Sequence, residues 1–247
     1  MLPATRVVPK ALLAVGDRPV VQHVVDELRE AGMTRIVLVT GAGGEAIRGH
    51  FAGEDDVVFA GQAEPRGLGD AVLAAEGAVD GPFVVALGDA LLGAAAVRAA
   101  VDAFERRAAA AAVVVEEVPA EAVGQYGIVH PADPAPAEAG GFVLRDVVEK
   151  PAPGAAPSRL AIAGRYVLSP SVFALLRETA PDAGGEVQLT DALRRVDPLV
   201  GVHLPAGLRR RDTGTPGGLA LAVVEWALAQ ESLRAAVAER VDGARHG

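Results

Sequence analysis

Val20, Val21, Val24, Val25 and Leu28 recur with the spacing of one helical face. Pro19 suits the first turn and Gly32 the stop, so the pattern predicts a helix over 19–31. Short apolar runs then mark buried strands at 35–40 (RIVLVT), 56–60 and 82–87 (PFVVAL), with helices at 45–51 and 68–78 between them. A helix over 94–107 and a strand over 111–118 continue the alternation. Strand and helix in alternation imply an α/β fold: a Rossmann-like, mixed but mostly parallel sheet with helices on both faces. The order begins with a helix. Residues 2–18 read as loop, so the strand that would complete the first βαβ unit is missing from the pattern.

The second half is less regular. Strands are expected at 127–130, 142–148, 160–168 and 200–204, and helices at 171–178 and 189–195. The Pro/Ala-rich stretch 131–139 reads as a surface loop, and one long alanine-rich helix is expected from Thr215 onward. No internal repeat or linker interrupts the chain, so 247 residues read as one domain over 1–247.

Composition narrows the function. Apolar residues make up 51%, enough for a full core, but no run approaches the roughly 18 residues of a membrane span. The N-terminus has no basic segment leading into an apolar stretch. Cysteine is absent, which excludes disulfides and thiolate chemistry. A cytoplasmic protein without a membrane partner is expected. A net charge of -9 argues against nucleic acid, and Arg209-Arg210-Arg211 reads as a solvated edge or a local phosphate contact. Of the 23 basic residues 21 are arginine, leaving Lys10 and Lys150 as the only lysines; asparagine is absent. An ammonium is a compact point charge and a guanidinium a planar fork. Two positions that keep lysine in an arginine-biased chain are therefore candidates for close anion contact.

Several residues are placed for chemistry. Asp89 lies just past the carboxyl end of an apolar strand, where α/β sheets bind ligands. Asp212, in Arg-Asp-Thr-Gly-Thr, precedes the last helix. Each fits helix capping as well as a hard cation such as Mg²⁺, which takes few protein carboxylates. Gly67-Leu68-Gly69 opens a helix after Gln62, whose amide carries both a donor and an acceptor, as a pyrimidine edge does. Gly41-Ala42-Gly43-Gly44-Glu45-Ala46 fits G-x-G-x-x-A, with Glu64 near the acidic position of a dinucleotide fold. That leaves a nicotinamide-dependent oxidoreductase as a second reading beside an ordinary strand-to-helix turn.

Taken together, LPATRVVPKALL, AEPRGLGDAV, VEEVPAEAVGQYGIV, VVEKP, SRLAIAGRYVLSP, GGEVQLTDAL and RDTG resemble, in order and spacing, the bacterial UTP–glucose-1-phosphate uridylyltransferases within the sugar-phosphate nucleotidyltransferases. The resemblance runs from Leu2 to about Leu228. It implies that UTP and glucose 1-phosphate give UDP-glucose and pyrophosphate, with no covalent protein intermediate. By motif, Asp89 and Asp212 would hold Mg²⁺, Lys10 would meet the triphosphate and Lys150 the sugar phosphate. Gln62 and Gly67 would read uracil. Glu149 and Glu186 would accept from glucose hydroxyls, and Gly127 and Gly164 would give close backbone contacts.

The chain departs from the family pattern in three places. The family's opening strand and glycine loop, roughly V-I-L-A-A-G-x-G-T-R-F, have no counterpart before L-P-A-T, and are expected upstream of Met1. Ala11 stands for a glutamate, and Asp70 for a histidine, adding negative charge near the nucleotide. The short chain also allows a homologue that binds only sugar phosphate. The apolar last helix, with Val223, Val224, Trp226 and Leu228, serves either a homo-oligomer or its own core.

Overall fold

The computed structural model describes residues 4–133, 140–152 and 154–244, so most of the loop read over 131–139 lies outside the described residues. Short 3-10 turns at Ala4–Arg6 and Lys10–Leu12 lead into a ribbon of β1 (Ala14–Val15) and β2 (Arg18–Pro19). This corrects the reading of the whole stretch as loop: Ala14 pairs Pro19 and Val15 pairs Arg18. Then come α1 (Val20–Glu30), β3 (Ile36–Thr40), α2 (Glu45–His50), β4 (Val57–Gly61), α3 (Gly67–Ala74), β5 (Phe83–Ala86), β6 (Ala90–Leu91), α4 (Ala94–Arg106) and β7 (Ala111–Glu117). The second half holds β8 (Gly127–Pro131), β9 (Phe142–Glu149), β10 (Leu160–Leu168), α5 (Val172–Arg177), α6 (Leu189–Leu193), β11 (Leu199–His203), β12 (Arg211–Asp212), α7 (Pro216–Ala229) and α8 (Glu231–Ala244).

The mixed α/β class is as read, but parallel pairing is narrower than the alternation suggests. The main sheet runs β5-β10-β7-β11-β9-β8, and within it only β7–β11 is parallel. β3 and β4 form a separate parallel pair. Late strands cause the difference: β10 returns antiparallel between β5 and β7, and β11 inserts beside β7. β7 is covered on both faces, and Ala111–Val115 are all buried, hence its unbroken apolar run. Ala96, Ala100 and Ala103 let α4 lie close on one face of that sheet. No ladder among the described residues joins β3–β4 to β5, although Leu38 of β3 and Val84 and Ala86 of β5 pack on the same apolar cluster as α1.

The expected terminal helix is two. Thr215 caps α7, accepting from the Gly218 N–H at 3.0 Å, and Pro216 fills its first turn. Gln230 is extended and ends it, and α8 restarts with Glu231, an acidic residue suited to a helix N-terminus. α7 packs on its own chain through Ala222 and Trp226, and leaves Leu221, Val224 and Leu228 exposed. A Cβ at Gly16 would lie 2.0 Å from the Trp226 ring, so the β1–β2 turn meets α7 backbone-first.

One polar contact fixes the site's framework. The apolar face of α1 carries a buried exception, Glu27. Its Oε1 accepts from Arg165 Nε at 2.7 Å, and its Oε2 accepts from the Leu92 and Gly93 N–H groups at 3.1 and 2.8 Å. Arg165, on β10, is wholly buried; its other nitrogens donate to the carbonyls of Gly164 (2.9 Å) and Ala90 (2.7 Å), and more weakly to Leu87 (3.4 Å). The segment from Leu87 to Gly93 is thus clamped from two sides. Arg165→Met removes one partner and leaves a buried carboxylate. Equilibrium urea unfolding is expected to show a loss of about 3–5 kcal/mol. Adding Glu27→Gln should recover part of it, because the amide oxygen still accepts from Leu92 and Gly93.

Candidate active site

Asp89 stands inside the clamped segment, two residues after Leu87. The β6–β12 ribbon sets Asp212 opposite Ala90, and Thr213 donates to the Asp89 carbonyl from both its N–H (2.8 Å) and its hydroxyl (2.9 Å). Asp212 Oδ1 accepts from the Gly214 N–H at 2.8 Å. A Cβ at Gly214 would lie 3.0 Å from both Asp212 Oδ1 and Asp89 Oδ2, so the two carboxylates flank one point. Neither caps the helix that follows it: α7 is capped by Thr215, and α4 starts from Gly93, bound to Glu27. Lys10 Nζ donates to Asp89 Oδ2 at 2.5 Å, so three of the predicted residues converge here.

The second group lies around β8 and β9. Gly127 pairs with Glu149, whose Oε2 accepts from the Thr190 hydroxyl at 3.0 Å. A Cβ at Gly127 would sit 3.3 Å from Glu149 Oε2 and 3.0 Å from Thr190 Cγ2, so only glycine leaves this approach open. Lys150 follows with φ +43, an uncommon conformation for a side-chain-bearing residue and strained before Pro151. Its backbone N–H donates to Tyr126 O at 3.0 Å and its ammonium lies 3.7 Å from Glu149 Oε1. The Asp182 carboxyl is held below the usual range by the Gln188 amide first, then the Glu186 N–H, with Lys150's charge a smaller contribution. Gln188 Nε2 also donates to Glu186 Oε2 at 3.0 Å, which orients Glu186.

The third group is the turn that opens α3. Gln62 Nε2 donates to Gly67 O at 3.1 Å and to Asp70 Oδ2 at 2.8 Å. Gly67 has φ +90, and a Cβ there would lie 2.7 Å from Val187 O and 3.0 Å from Glu186 Cβ. Val187 accepts from the Gly69 N–H and donates to Arg66 O, both at 2.8 Å. Two backbone bonds therefore tie the Gln62–Gly67 turn to the strand of chain bearing Glu186. Gly164 has φ +91 at a bulge of β10, with its carbonyl accepting from both Leu87 N–H and Arg165. It joins the second group's sheet to the Asp89 segment.

Sequence reasoning did not single out Glu27, Arg165, Thr190 or Asp182. A glutamate on the apolar face of α1 was the one legible signal. In the run 209–211, Arg209 and Arg211 are exposed, as a solvated edge has them, with Arg211 pairing Glu225; Arg210 instead turns inward, pairs with Glu116 at 2.5 Å and lies 4.3 Å from the Tyr126 ring centre. Burial, opposed by Arg210 and reinforced by the Asp212 charge, raises the Glu116 carboxyl. Gly41–Ala46 forms a strand-to-helix turn, closed by Gly44 N–H to Gly41 O at 3.2 Å, and a Cβ at Gly44 would collide with Thr40. This turn borders a cavity of about 330 Å³ that Gln62 also lines.

Asp89 and Asp212 suit a divalent metal by donor chemistry: two hard carboxylate oxygens facing one point, kept open by Gly214. Such an ion would neutralise phosphate charge. No cluster of three or more metal-ligating side chains occurs among the described residues. No helix among the described residues is long and apolar enough to cross a membrane.

Residues 1–221 match the model of the nucleotidyl transferase family. The UTP–glucose-1-phosphate uridylyltransferase of Bacillus subtilis (strain 168) is 34% identical over 262 residues, spanning 94% of this chain and 88% of the relative. The Streptococcus pneumoniae serotype 4 protein of the same name is 38% identical over 223 residues, covering 78% and 74%. Among solved structures, a UTP-bound UGPase from Acinetobacter baumannii superposes with a TM-score of 0.85 at 31% identity, covering 97% of this chain and 93% of that one. A UDP-glucose pyrophosphorylase complexed with UDP-glucose gives 0.84 at 29% identity, covering 93% and 94%. With a family match over most of its length and relatives above 30% identity across more than two thirds of it, the chain belongs to the nucleotidyl transferase family.

Proposed function

We propose that this chain is a UTP–glucose-1-phosphate uridylyltransferase. The observation that carries the reading is the convergence of Lys10, Asp89 and Asp212 on one point, at the carboxyl end of β5. A phosphate oxygen of glucose 1-phosphate attacks the α-phosphorus of UTP. A new P–O bond forms, the bond to the β-phosphate breaks, and pyrophosphate leaves with the electron pair. Positioning and charge neutralisation suffice for such a transfer. Lys10 binds the triphosphate and Lys150 the sugar phosphate. Asp89 and Asp212 hold Mg²⁺. Gln62 and Gly67 receive the uracil. Glu149 and Glu186 accept from glucose hydroxyls, with Gly127 and Gly164 allowing the sugar close to the backbone.

Two structural links support one assembled site. Gly67 abuts Glu186 and Val187, which brings base and sugar elements together. Gly164 bonds Leu87, which brings the sugar sheet to Asp89. We place these parts in one nucleotidyltransferase domain over 1–247. A nucleoside triphosphate substrate suits a cytoplasmic enzyme. The exposed Leu221, Val224 and Leu228 of α7 suit a homo-oligomer.

A second reading is binding of sugar phosphate without turnover, through the Glu149, Lys150 and Glu186 group alone. The assay that separates them measures UDP-glucose formed from UTP and glucose 1-phosphate with Mg²⁺. The first reading expects product from the wild-type chain, and a loss of at least about a thousandfold in Asp89→Asn. Calorimetric binding of glucose 1-phosphate with no product would support the second, and equal turnover by Asp89→Asn would refute the metal assignment. Lys150→Arg is expected to remain well below wild type, chiefly through a raised KM for glucose 1-phosphate, because a planar fork does not replace a point charge.

A further inference from the structure

We propose that Asp70 determines base specificity by locking the amide of Gln62, so that the site accepts a pyrimidine protonated at N3 and rejects cytosine. The inference rests on the reading of Gln62 as the residue that meets the base, and adds what decides which end of its amide does so.

A carboxamide is ambiguous as a reader, since either its NH2 or its carbonyl can face a ligand. Here the ambiguity is removed. The NH2 group has two hydrogens, and both have acceptors within the turn: Gly67 O at 3.1 Å and Asp70 Oδ2 at 2.8 Å. A flipped amide would set Oε1 against two oxygens, one of them a carboxylate. Asp70 stays an acceptor because its carboxyl is held below the usual range, first by Gln62 and then by Arg66. Arg66 Nη2 donates to the other carboxylate oxygen, Oδ1, at 2.9 Å, so Asp70 is itself fixed. Its backbone is equally constrained, since it follows Gly69, which bonds Val187 O.

The remaining group is Gln62 Oε1, which has no donor among the described residues once the NH2 group is held by Gly67 O and Asp70. It is an acceptor awaiting a donor. Uracil and thymine offer N3–H. Cytosine offers a lone pair at the same place, so its binding sets acceptor against acceptor and leaves both unmet. A histidine at position 70, as in the family pattern, has a ring nitrogen that serves as donor or acceptor by tautomer. The carboxylate here permits one answer.

The test is calorimetric binding of UTP and of CTP to the full chain. Wild type is expected to prefer UTP by at least about tenfold. In Asp70→Asn and Asp70→Leu the amide is free to turn, so the UTP-to-CTP ratio is expected to fall toward one, with CTP affinity rising. A general loss of folding would weaken both nucleotides alike and leave the ratio in place. An unchanged ratio in both variants, with UTP still bound at wild-type affinity, overturns the lock. Gln62→Ala separates the two layers: unchanged affinities for both nucleotides would show that Gln62 does not meet the base, overturning the reading beneath the proposal as well. A loss of UTP preference in Gln62→Ala together with an unchanged ratio in the Asp70 variants would refute the lock alone.

Discussion

Arg165 is wholly buried, and its carboxylate partner Glu27 is nearly so, although the two are 138 residues apart in sequence. Taking either charge out of water costs several kcal/mol unless its hydrogen-bonding groups are met. They are met here by the backbone of the segment that must be held: Ala90 O and Leu87 O for the guanidinium, Leu92 and Gly93 N–H for the carboxylate. The pair therefore defines the path of the chain through Asp89 more than it adds to net stability. Hydrophobic contacts alone would leave that segment free to slide, since they carry no direction.

From that fixed segment the rest of the site follows by short links. The Asp89 carbonyl receives Thr213, which brings Asp212 alongside through the β6–β12 ribbon. Gly164, bonded to Arg165 and Leu87, carries the same constraint into β10 and so toward β8 and β9, which bear Gly127 and Glu149. The Gln62–Gly67 turn is attached separately, through Val187. The turn bearing Gln62 is thus fixed to the segment bearing Glu186, while Asp89 and Asp212 are fixed to the framework of Glu27 and Arg165. This division lets base selection be altered at Asp70 without disturbing the carboxylate pair.

Much of this was legible in the chain and some was not, for physical reasons. The apolar face of α1 and the apolar run of β5, which ends at Ala86 shortly before Asp89, are local signals that no tertiary contact overrides. Lys10 and Lys150 stood out because an arginine-biased chain kept lysine there, and the structure puts Lys10 on Asp89 and Lys150 beside Glu149. The Asp89–Asp212 pairing was available only by resemblance, since no spacing rule links residues so far apart. Sheet direction failed as a local reading: β10 and β11 arrive late and enter the middle of the sheet, which no helix–strand alternation announces. Arg165 was invisible because a lone arginine in an apolar strand looks like any outward-facing charge until its partner is known. The break at Gln230 was missed because alanine-rich sequence favours helix on both sides of it.

The central claim is that two carboxylates, held together by this framework, form the seat of a divalent ion. Electron paramagnetic resonance of Mn²⁺ titrated into the full chain with UDP-glucose tests it directly. The account predicts one bound ion per chain in the wild type, with affinity reduced by at least about tenfold in Asp212→Asn, where one hard anionic oxygen donor becomes neutral. Mn²⁺ affinity equal in the wild type and that variant would contradict it.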